Sequence, residues 1–311
     1  MNIVLYEPQK TATLWIDELT TLLPNASINY YSEQAMAAAN YFICNNPPAD
    51  LLNNAYKIKG VFLLSAGFDY YSALKTKQTC KLLDDAPCYR LEDAGMSEQM
   101  MDYITYSTLK FFRRFDQYDM HTSWRPLTPY SKTDFTIGIL GTGELGSRVT
   151  ERLVALGFIV NTWNRSEKRI INATPFIGAS ELDCFIRASH LLINLLPLNK
   201  QTEGILNKHL FENLAKPSYL INAARGGHVV EDDLIEALQS GALSGAQIDV
   251  TKTEPLPDEN PLFSQQNCFI TPHVAAETLL KESCAQISHK IEQLELNKKI
   301  SGRIDWTKQP L

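Results

Sequence analysis

The sequence lacks the features that mark several classes of protein. Its six cysteines include no C-x-x-C pair, which argues against both a zinc site and a disulfide framework. We therefore expect reduced, mostly buried thiols, no bound metal and a cytoplasmic protein. No internal repeat or low-complexity tract interrupts the chain.

Positive charge and long apolar runs are also missing. The net charge is -6, so the basic surface typical of a nucleic-acid-binding protein is absent. The longest apolar stretches are far shorter than a membrane span, and no basic segment followed by an apolar run opens the chain. We expect no signal peptide, no membrane helix and no nucleic-acid partner.

What is present is a repeated alternation of short apolar runs and helical segments. A length of 311 residues predicts about two domains. The alternation predicts α/β domains with doubly wound parallel sheets, divided into residues 1–93 plus 277–311 and residues 94–276. Only the second range carries a nucleotide-type glycine motif, so the first is the candidate substrate domain.

The first range contains five predicted strands and three predicted helices. The strands are residues 3–6, 27–30, 41–44, 61–64 and 88–91, and the helices are residues 13–23, 33–40 and 70–77. A long helix is predicted over residues 97–118, with a length that suits a connection between domains. Two prolines and several polar residues predict an extended arm over residues 121–134.

The second range continues the alternation. Its predicted strands are residues 135–140, 159–163, 191–196, 219–223, 245–250 and 268–270, and its predicted helices are residues 144–156 and 231–239. Gly241 is predicted as a helix C-cap, and a last helix over residues 277–296 is expected to return to the first domain.

A glycine pattern, G-x-G-x-x-G, lies between the first predicted strand and helix of this second series. Gly141 and Gly143 permit a tight turn and a close approach of pyrophosphate, and Gly146 permits close packing of the helix. The helix N-terminus then offers backbone N–H groups to the phosphates. The alternative interpretation is a tight turn with a structural role only.

The segment after the next strand indicates which dinucleotide binds. NAD-specific sites usually place Asp or Glu there to hold the ribose hydroxyls. Here Asn164 takes that place, and Arg165, Ser166 and Lys168 can all contact a 2′-phosphate. We therefore predict NADP(H), with a solvated basic turn as the alternative.

Three separated side chains suit the reduction of a 2-keto acid. Arg225 follows an apolar strand and can orient a carboxylate while polarising the keto group. His273 can protonate the forming alkoxide, and Glu254 can hold its other ring nitrogen and favour the charged ring. The other histidines, His121, His190, His209, His228 and His289, are predicted to be ordinary surface or packing residues.

These segments together resemble the D-2-hydroxyacid dehydrogenase superfamily, and within it the NADPH-dependent glyoxylate/hydroxypyruvate reductases of the bacterial A type. The likeness runs from about Val61 to the C-terminus. It is densest in residues 90–100, residues 111–116, the glycine loop and the segments around Arg225, Glu254 and His273.

The resemblance implies a flavodoxin-like substrate domain, a Rossmann NADP-binding domain and a cleft between them. It implies that Arg225, Glu254 and His273 are catalytic and that backbone groups of Ser65, Ala66 and Gly67 grip the substrate together with Arg225 and His273. The implied cofactor residues are Gly143, Glu144, Leu145, Trp163, Asn164, Arg165, Leu196, Pro197, Ala223 and Asp249, with Asp249 facing the nicotinamide carboxamide. It also implies a homodimer in which the Trp124 arm crosses to the partner.

Two positions depart from the family pattern. Asn45 stands where such relatives often carry tryptophan, and Ser65 where glycine is common. The first hypothesis is an NADPH-dependent reductase of glyoxylate and hydroxypyruvate. A dehydrogenase of a bulkier 2-keto acid and a catalytically weak nucleotide-sensing binding protein remain alternatives.

Overall fold

The computed structural model describes residues 1–77, 80–118 and 124–306. The described residues divide into two units, residues 1–95 with residues 278–306, and residues 96–277. Each unit is built around one parallel sheet, so the predicted α/β class with two parallel sheets is confirmed.

The sheet of the first unit has five parallel strands in the order β2-β1-β3-β4-β5. The strands are β1 (Asn2–Tyr6), β2 (Ser27–Tyr30), β3 (Tyr41–Cys44), β4 (Gly60–Leu63) and β5 (Cys88–Tyr89). This is the strand order of flavodoxin-like folds, in which ligands bind outside the carboxyl ends of the strands.

The sheet of the second unit has seven parallel strands in the order β12-β11-β10-β9-β6-β7-β8. They are β6 (Ile137–Leu140), β7 (Val160–Asn164), β8 (Ala173–Ile177), β9 (Leu191–Asn194), β10 (Tyr219–Asn222), β11 (Gly245–Ile248) and β12 (Cys268–Ile270). The first six follow the Rossmann order, and β12 extends the sheet at one edge.

Helices accompany both sheets. They are α1 (Gln9–Leu22), α2 (Glu33–Ala37), α3 (Ala49–Leu52), α4 (Asp69–Lys77), α5 (Lys81–Asp85), α6 (Met96–Phe112), α7 (Phe115–Tyr118), α8 (Glu144–Ala155), α9 (Gly178–Arg187), α10 (Lys208–Asn213), α11 (Glu231–Ser240) and α12 (Leu280–Glu295). Single 3-10 turns occur at Lys132–Asp134, Gly226–His228 and Pro261–Ser264. None of the helices in the described ranges is long and apolar enough to span a membrane.

The second unit is covered on both faces of its sheet. On β9, Leu191 and Ile193 belong to one buried cluster and Leu192 to another. Successive residues of a strand point to opposite faces, so the two clusters are the two layers of core. A strand buried on both faces reads as an unbroken apolar run, which is why the buried strands β6, β9, β10 and β11 could be predicted.

The structure corrects several predicted bounds. The helix predicted over residues 97–118 ends at Phe112, and Arg114 adopts a left-handed conformation, with φ of 60°, before the short α7. The edge strand β8 and helices α3, α5, α9 and α10 were missed, because short or half-exposed elements carry little periodicity. The predicted arm falls partly outside the described residues, and its part from residue 124 is irregular up to the turn Lys132–Asp134.

Other elements differ only at their ends. Helix α1 begins four residues earlier than predicted, α2 ends three residues earlier, β5 stops at Tyr89, and α12 begins at Leu280. The C-cap prediction is confirmed, because Gly241 has a φ of 76° directly after α11. Helix α12 lies in the first unit and packs against α1.

Candidate active site

The glycine loop joins β6 to α8 in the second unit. A Cβ on Gly146 would lie 2.0 Å from the carbonyl oxygen of Gly141, so only glycine allows this approach of helix and loop. Gly143 is the N-cap of α8, and a Cβ built there would meet nothing within 4 Å. No side chain caps α8 within the described residues, so its N-terminus presents backbone N–H groups to open space.

Two side chains, one at the end of β7 and one four residues beyond it, hold this loop in place. The Asn164 Oδ1 accepts hydrogen bonds from the backbone N of Thr142 (2.8 Å) and from its hydroxyl (2.9 Å). The Lys168 ammonium donates to the carbonyl oxygen of Thr142 at 2.6 Å. The sequence predicted both residues only as contacts of the ribose or its phosphate. Their hydrogen bonds to the glycine loop were not predicted.

Arg165 stands apart from these bonds. Its side chain is exposed, and within the described part of the chain no hydrogen bond or ion pair occupies the guanidinium. Ser166 beside it is exposed as well. The neighbouring Trp163 is buried, and its indole N–H donates to the carbonyl oxygen of Gly178 at 2.9 Å.

The remaining predicted cofactor residues lie at the carboxyl ends of the strands or on α8. Leu196, Ala223 and Asp249 are buried, Leu145 is half-buried, and Pro197 is exposed. Glu144 is exposed and forms an ion pair with Arg148 at 3.4 Å. Open space at Gly143, free helix N–H groups and the guanidinium of Arg165 together fit a dinucleotide that carries a 2′-phosphate.

His273 and Glu254 form a direct pair. The distance from His273 Nδ1 to Glu254 Oε2 is 2.8 Å, and the other carboxylate oxygen accepts from the backbone N of Thr251 at 3.1 Å. His273 has a left-handed backbone, with φ of 57°, which is uncommon for a residue other than glycine. Such conformations persist only where the surroundings hold them, and they cluster at functional sites.

Asp249 holds the turn that carries His273. Its carbonyl oxygen accepts from the backbone N of His273 at 2.8 Å. Its carboxylate accepts from the hydroxyl of Thr271 (2.7 Å) and from the backbone N of Val274 (2.9 Å) and Ala275 (3.0 Å). One buried residue therefore binds four donors of a five-residue turn.

Arg225 follows β10, and its backbone is fastened from several sides. Its carbonyl oxygen accepts from Nδ2 of Asn222 at 3.1 Å and lies 3.0 Å from Nδ1 of the buried His228. A Cβ on Gly226 would lie 1.9 Å from the carbonyl carbon of Thr251, so glycine is required where this segment meets the segment of Glu254. The guanidinium of Arg225 donates to the carbonyl oxygen of Ala224 at 2.6 Å.

A buried amide pair connects two neighbouring loops. Asn194 and Asn222 end β9 and β10 in register, and Nδ2 of Asn194 donates to Oδ1 of Asn222 at 2.9 Å. Oδ1 of Asn194 accepts from the backbone N of Leu196, and Oδ1 of Asn222 accepts from the backbone N of Ala224, each at 3.3 Å. Sequence reasoning missed this pair, although each asparagine closes an otherwise apolar strand.

The predicted substrate loop lies in the first unit, after β4. The hydroxyl of Ser65 donates to the carbonyl oxygen of Gly67 at 2.6 Å, and Arg90 donates to that of Ala66 at 3.2 Å. Asn45 is half-buried at the end of β3. Burial raises the pKa of the nearby Glu7 carboxyl, and side-chain hydrogen bonds from Asn45 and Thr11 partly offset that rise.

Within the described ranges, no hydrogen bond joins another histidine to His273 or Glu254. His190 stacks on Phe135, His209 contacts Asp183 at 3.3 Å, and His289 is exposed. His228 is a packing residue, but it lies against the Arg225 backbone. His121 lies outside the described residues.

Comparisons with known proteins agree with this fold. Residues 104–275, more than half of the chain, match the family of D-isomer specific 2-hydroxyacid dehydrogenases, NAD binding domain. A glyoxylate/hydroxypyruvate reductase A from Serratia proteamaculans (strain 568) is 42% identical over 308 residues, which cover 98% of each chain.

Two solved structures are similar over nearly their whole length. A D-isomer specific 2-hydroxyacid dehydrogenase from Xanthobacter autotrophicus Py2, in complex with NADPH and MES, has a TM-score of 0.90 and 27% identity, covering 99% of this chain and 98% of its own. An NADPH-dependent glyoxylate/hydroxypyruvate reductase from Sinorhizobium meliloti, in complex with NADP and sulfate, has a TM-score of 0.88 and 29% identity, covering 99% of each.

Fold and site together define a dinucleotide-dependent oxidoreductase with two parallel-sheet units. The chain belongs to the D-isomer specific 2-hydroxyacid dehydrogenase family. The family predicted from the sequence motifs is thereby confirmed.

Proposed function

We propose that this protein is an NADPH-dependent reductase of small 2-oxo acids, which converts glyoxylate to glycolate and hydroxypyruvate to D-glycerate. The observation that carries the proposal is the His273–Glu254 pair at 2.8 Å, in the unit that also holds Arg225 and the open glycine loop. The 42% identity with a glyoxylate/hydroxypyruvate reductase A supports the substrate class.

The three polar side chains have separate tasks in this reaction. Arg225 orients the substrate carboxylate and polarises the keto oxygen, because its planar fork can serve both groups. His273 donates the proton on its Nε2 to the forming alkoxide, and its ring becomes neutral. Glu254 keeps a proton on Nδ1 through the observed contact, which leaves Nε2 to face the substrate.

The proposed cofactor is NADP(H), which supplies the hydride when bound. Residues at the glycine loop and at the ends of β7, β9, β10 and β11 would hold it: Gly141, Gly143, Glu144, Leu145, Gly146, Trp163, Asn164, Arg165, Ser166, Lys168, Leu196, Pro197, Ala223 and Asp249. Arg165 is the main candidate for the 2′-phosphate, because its guanidinium is exposed and has no protein partner within the described ranges.

The first unit is the proposed substrate domain. Ser65, Ala66 and Gly67 follow a central strand of its sheet, at the carboxyl edge where α/β folds bind ligands. Their backbone groups are suited to the carboxylate of the substrate. Asn45 ends the neighbouring strand β3, so it is placed to line the same edge.

A second candidate function is the reduction of a bulkier 2-keto acid on the same scaffold. It rests on Asn45, which is smaller and more polar than the tryptophan common in relatives. The third reading, a nucleotide-sensing binding protein, predicts cofactor binding without turnover.

The deciding experiment is NADPH oxidation, followed by absorbance, with glyoxylate, hydroxypyruvate, pyruvate and a bulkier 2-keto acid, each repeated with NADH. We expect the highest kcat/KM for the two small substrates with NADPH. Preference for the bulkier acid would favour the second candidate. Tight NADPH binding without turnover on any substrate would contradict the reductase assignment.

Two wider expectations stay predictions. A homodimer agrees with the full exposure of Trp124 at the start of the described arm, and light scattering in solution would test it. A cytoplasmic location agrees with six free cysteines, four of which are buried, and fractionation of the source cells would test it.

A further inference from the structure

The turn that carries His273 is linked to helix α6 by a chain of four side chains. Nε2 of Gln247 on β11 donates to the phenol oxygen of Tyr103 at 2.9 Å. The Tyr103 oxygen lies 2.6 Å from Oγ1 of Thr271, and the Thr271 hydroxyl donates to Oδ1 of Asp249 at 2.7 Å. All four residues belong to the second unit.

The direction of every bond in this chain is determined by its two ends. An amide NH₂ only donates, and an ionised carboxylate only accepts. Gln247 therefore donates to Tyr103, Tyr103 donates to Thr271, and Thr271 donates to Asp249. Burial raises the pKa of Tyr103 to about 12, so its phenol keeps the proton that this chain requires.

Asp249, the last acceptor in this series of hydrogen bonds, also holds the turn that carries His273. Asp249 accepts from the backbone N of His273, Val274 and Ala275. His273 itself has a φ of 57°, and such a backbone persists only where its surroundings hold it. The orientation of the Asp249 carboxylate therefore bears on the direction in which the imidazole points.

We propose that Tyr103 and Thr271 are positioning residues for the general acid: their hydroxyls fix the Asp249 carboxylate and thereby the turn that presents His273 to Glu254. The proposal rests on the proposed reductase function and assigns no contact with substrate or cofactor to either residue. Helix α6 thus contributes Tyr103 to the hydrogen bonds that position His273.

The test compares Tyr103→Phe, Thr271→Val and Thr271→Ser with Tyr106→Phe. Tyr106 is the matched control, because it is a tyrosine of the same helix and 64% exposed. We expect Tyr103→Phe and Thr271→Val to lower kcat about 10-fold, since small misplacements of a catalytic group are costly. Thr271→Ser keeps the hydroxyl and should restore kcat, and Tyr106→Phe should match the parent protein.

The split between kcat and KM separates positioning from a general loss of stability. A misplaced proton donor affects the chemical step, so kcat should fall in Tyr103→Phe while the KM for glyoxylate stays nearly unchanged. NADPH affinity should stay within about twofold of the parent value, because the glycine loop and Arg165, which would hold the phosphates, lie outside this hydroxyl chain. A lower melting temperature with unchanged kcat and KM would overturn the proposal.

A second readout is independent of turnover. Imidazole nitrogen NMR of the free protein, assigned with His273→Ala, reports whether Nδ1 of His273 is hydrogen-bonded. We expect that signal to change in Tyr103→Phe and to be unchanged in Tyr106→Phe. If the parent protein reduces no 2-oxo acid, the proposed function fails, and this spectrum still decides the positioning role: an unchanged signal in Tyr103→Phe would refute it.

Discussion

Nδ1 of His273 and Oε2 of Glu254 lie 2.8 Å apart, and 19 residues of chain separate them. The contact holds the ring so that only Nε2 is left for a substrate. A histidine with this partner is suited to donate a proton, and the proposed mechanism requires this of His273.

Removing the imidazole of His273 should lower kcat strongly and NADPH binding only slightly. We expect His273→Ala to lower kcat by at least about 10², because no other group protonates the alkoxide. NADPH binding, measured by fluorescence titration, should be nearly unchanged. His289→Ala, at an exposed position on α12, is the control. An active His273→Ala would remove His273 from this role.

Cofactor selectivity should depend on Arg165 and much less on Lys168. Arg165→Ala should weaken NADPH but not NADH, by about 1–3 kcal/mol, if its charge-assisted bonds hold the 2′-phosphate. Lys168→Met should weaken both cofactors, because Lys168 donates to the glycine loop itself. Arg169, already paired with Glu167 at 2.7 Å, provides the matched control, Arg169→Ala. Equal losses for both cofactors in Arg165→Ala would contradict the assignment.

Two alanine substitutions in the glycine loop should affect different properties, one NADPH binding and the other stability. Gly143→Ala meets open space, so the melting temperature should not change, while NADPH affinity should fall about 10-fold or more as the methyl group enters the phosphate site. Gly146→Ala would collide with the Gly141 carbonyl and should lower the free energy of unfolding by about 1–3 kcal/mol. Normal NADPH affinity in Gly143→Ala would argue for a loop with a structural role only.

Stability should depend on pH through Asp116. This carboxyl is buried, and burial raises its pKa to about 6 from an ordinary 3.8. The folded state therefore holds the proton more tightly than the unfolded chain, and this contribution to stability is lost as pH rises from about 4 through 6. Above pH 6, Asp116→Asn should be more stable than the parent by up to about 3 kcal/mol.

Urea unfolding at pH 4 and at pH 7.5 measures this difference. Asp102→Asn, at an exposed position on α6, is the control for the loss of a surface carboxyl. A constant difference between Asp116→Asn and the parent at both pH values would show that Asp116 does not titrate in this range.

Substrate preference should respond to position 45. Asn45→Trp should raise the ratio of kcat/KM for glyoxylate over a bulkier 2-keto acid about 10-fold, because a larger side chain narrows the pocket wall. Asn45→Ala separates size from polarity, since it removes the amide without adding volume. If neither substitution changes the ratio, Asn45 does not line the substrate pocket.

The side chains proposed as catalytic could be singled out because the proposed chemistry requires particular residue types in particular settings. Arg225, Glu254 and His273 stand in short motifs whose order and setting, after apolar strands, are specific. The glycine loop could be predicted as well, since a close approach of backbone to backbone requires glycine in any fold. The central strands of both sheets could be predicted from unbroken apolar runs, because they are covered on both faces, whereas the half-exposed edge strand β8 was missed.

The sequence by itself therefore determined the fold class and the family, and it singled out the proposed cofactor loop and the proposed reacting groups. Only the tertiary structure decided how those groups are held. Tyr103 and Thr271 are 168 residues apart and meet because α6 packs against the sheet to which β12 belongs. Hydrogen bonds of this kind depend on which strands become neighbours, and no local pattern of residues records that. The left-handed turn at His273 and the role of Lys168 in the glycine loop were unpredictable for the same reason.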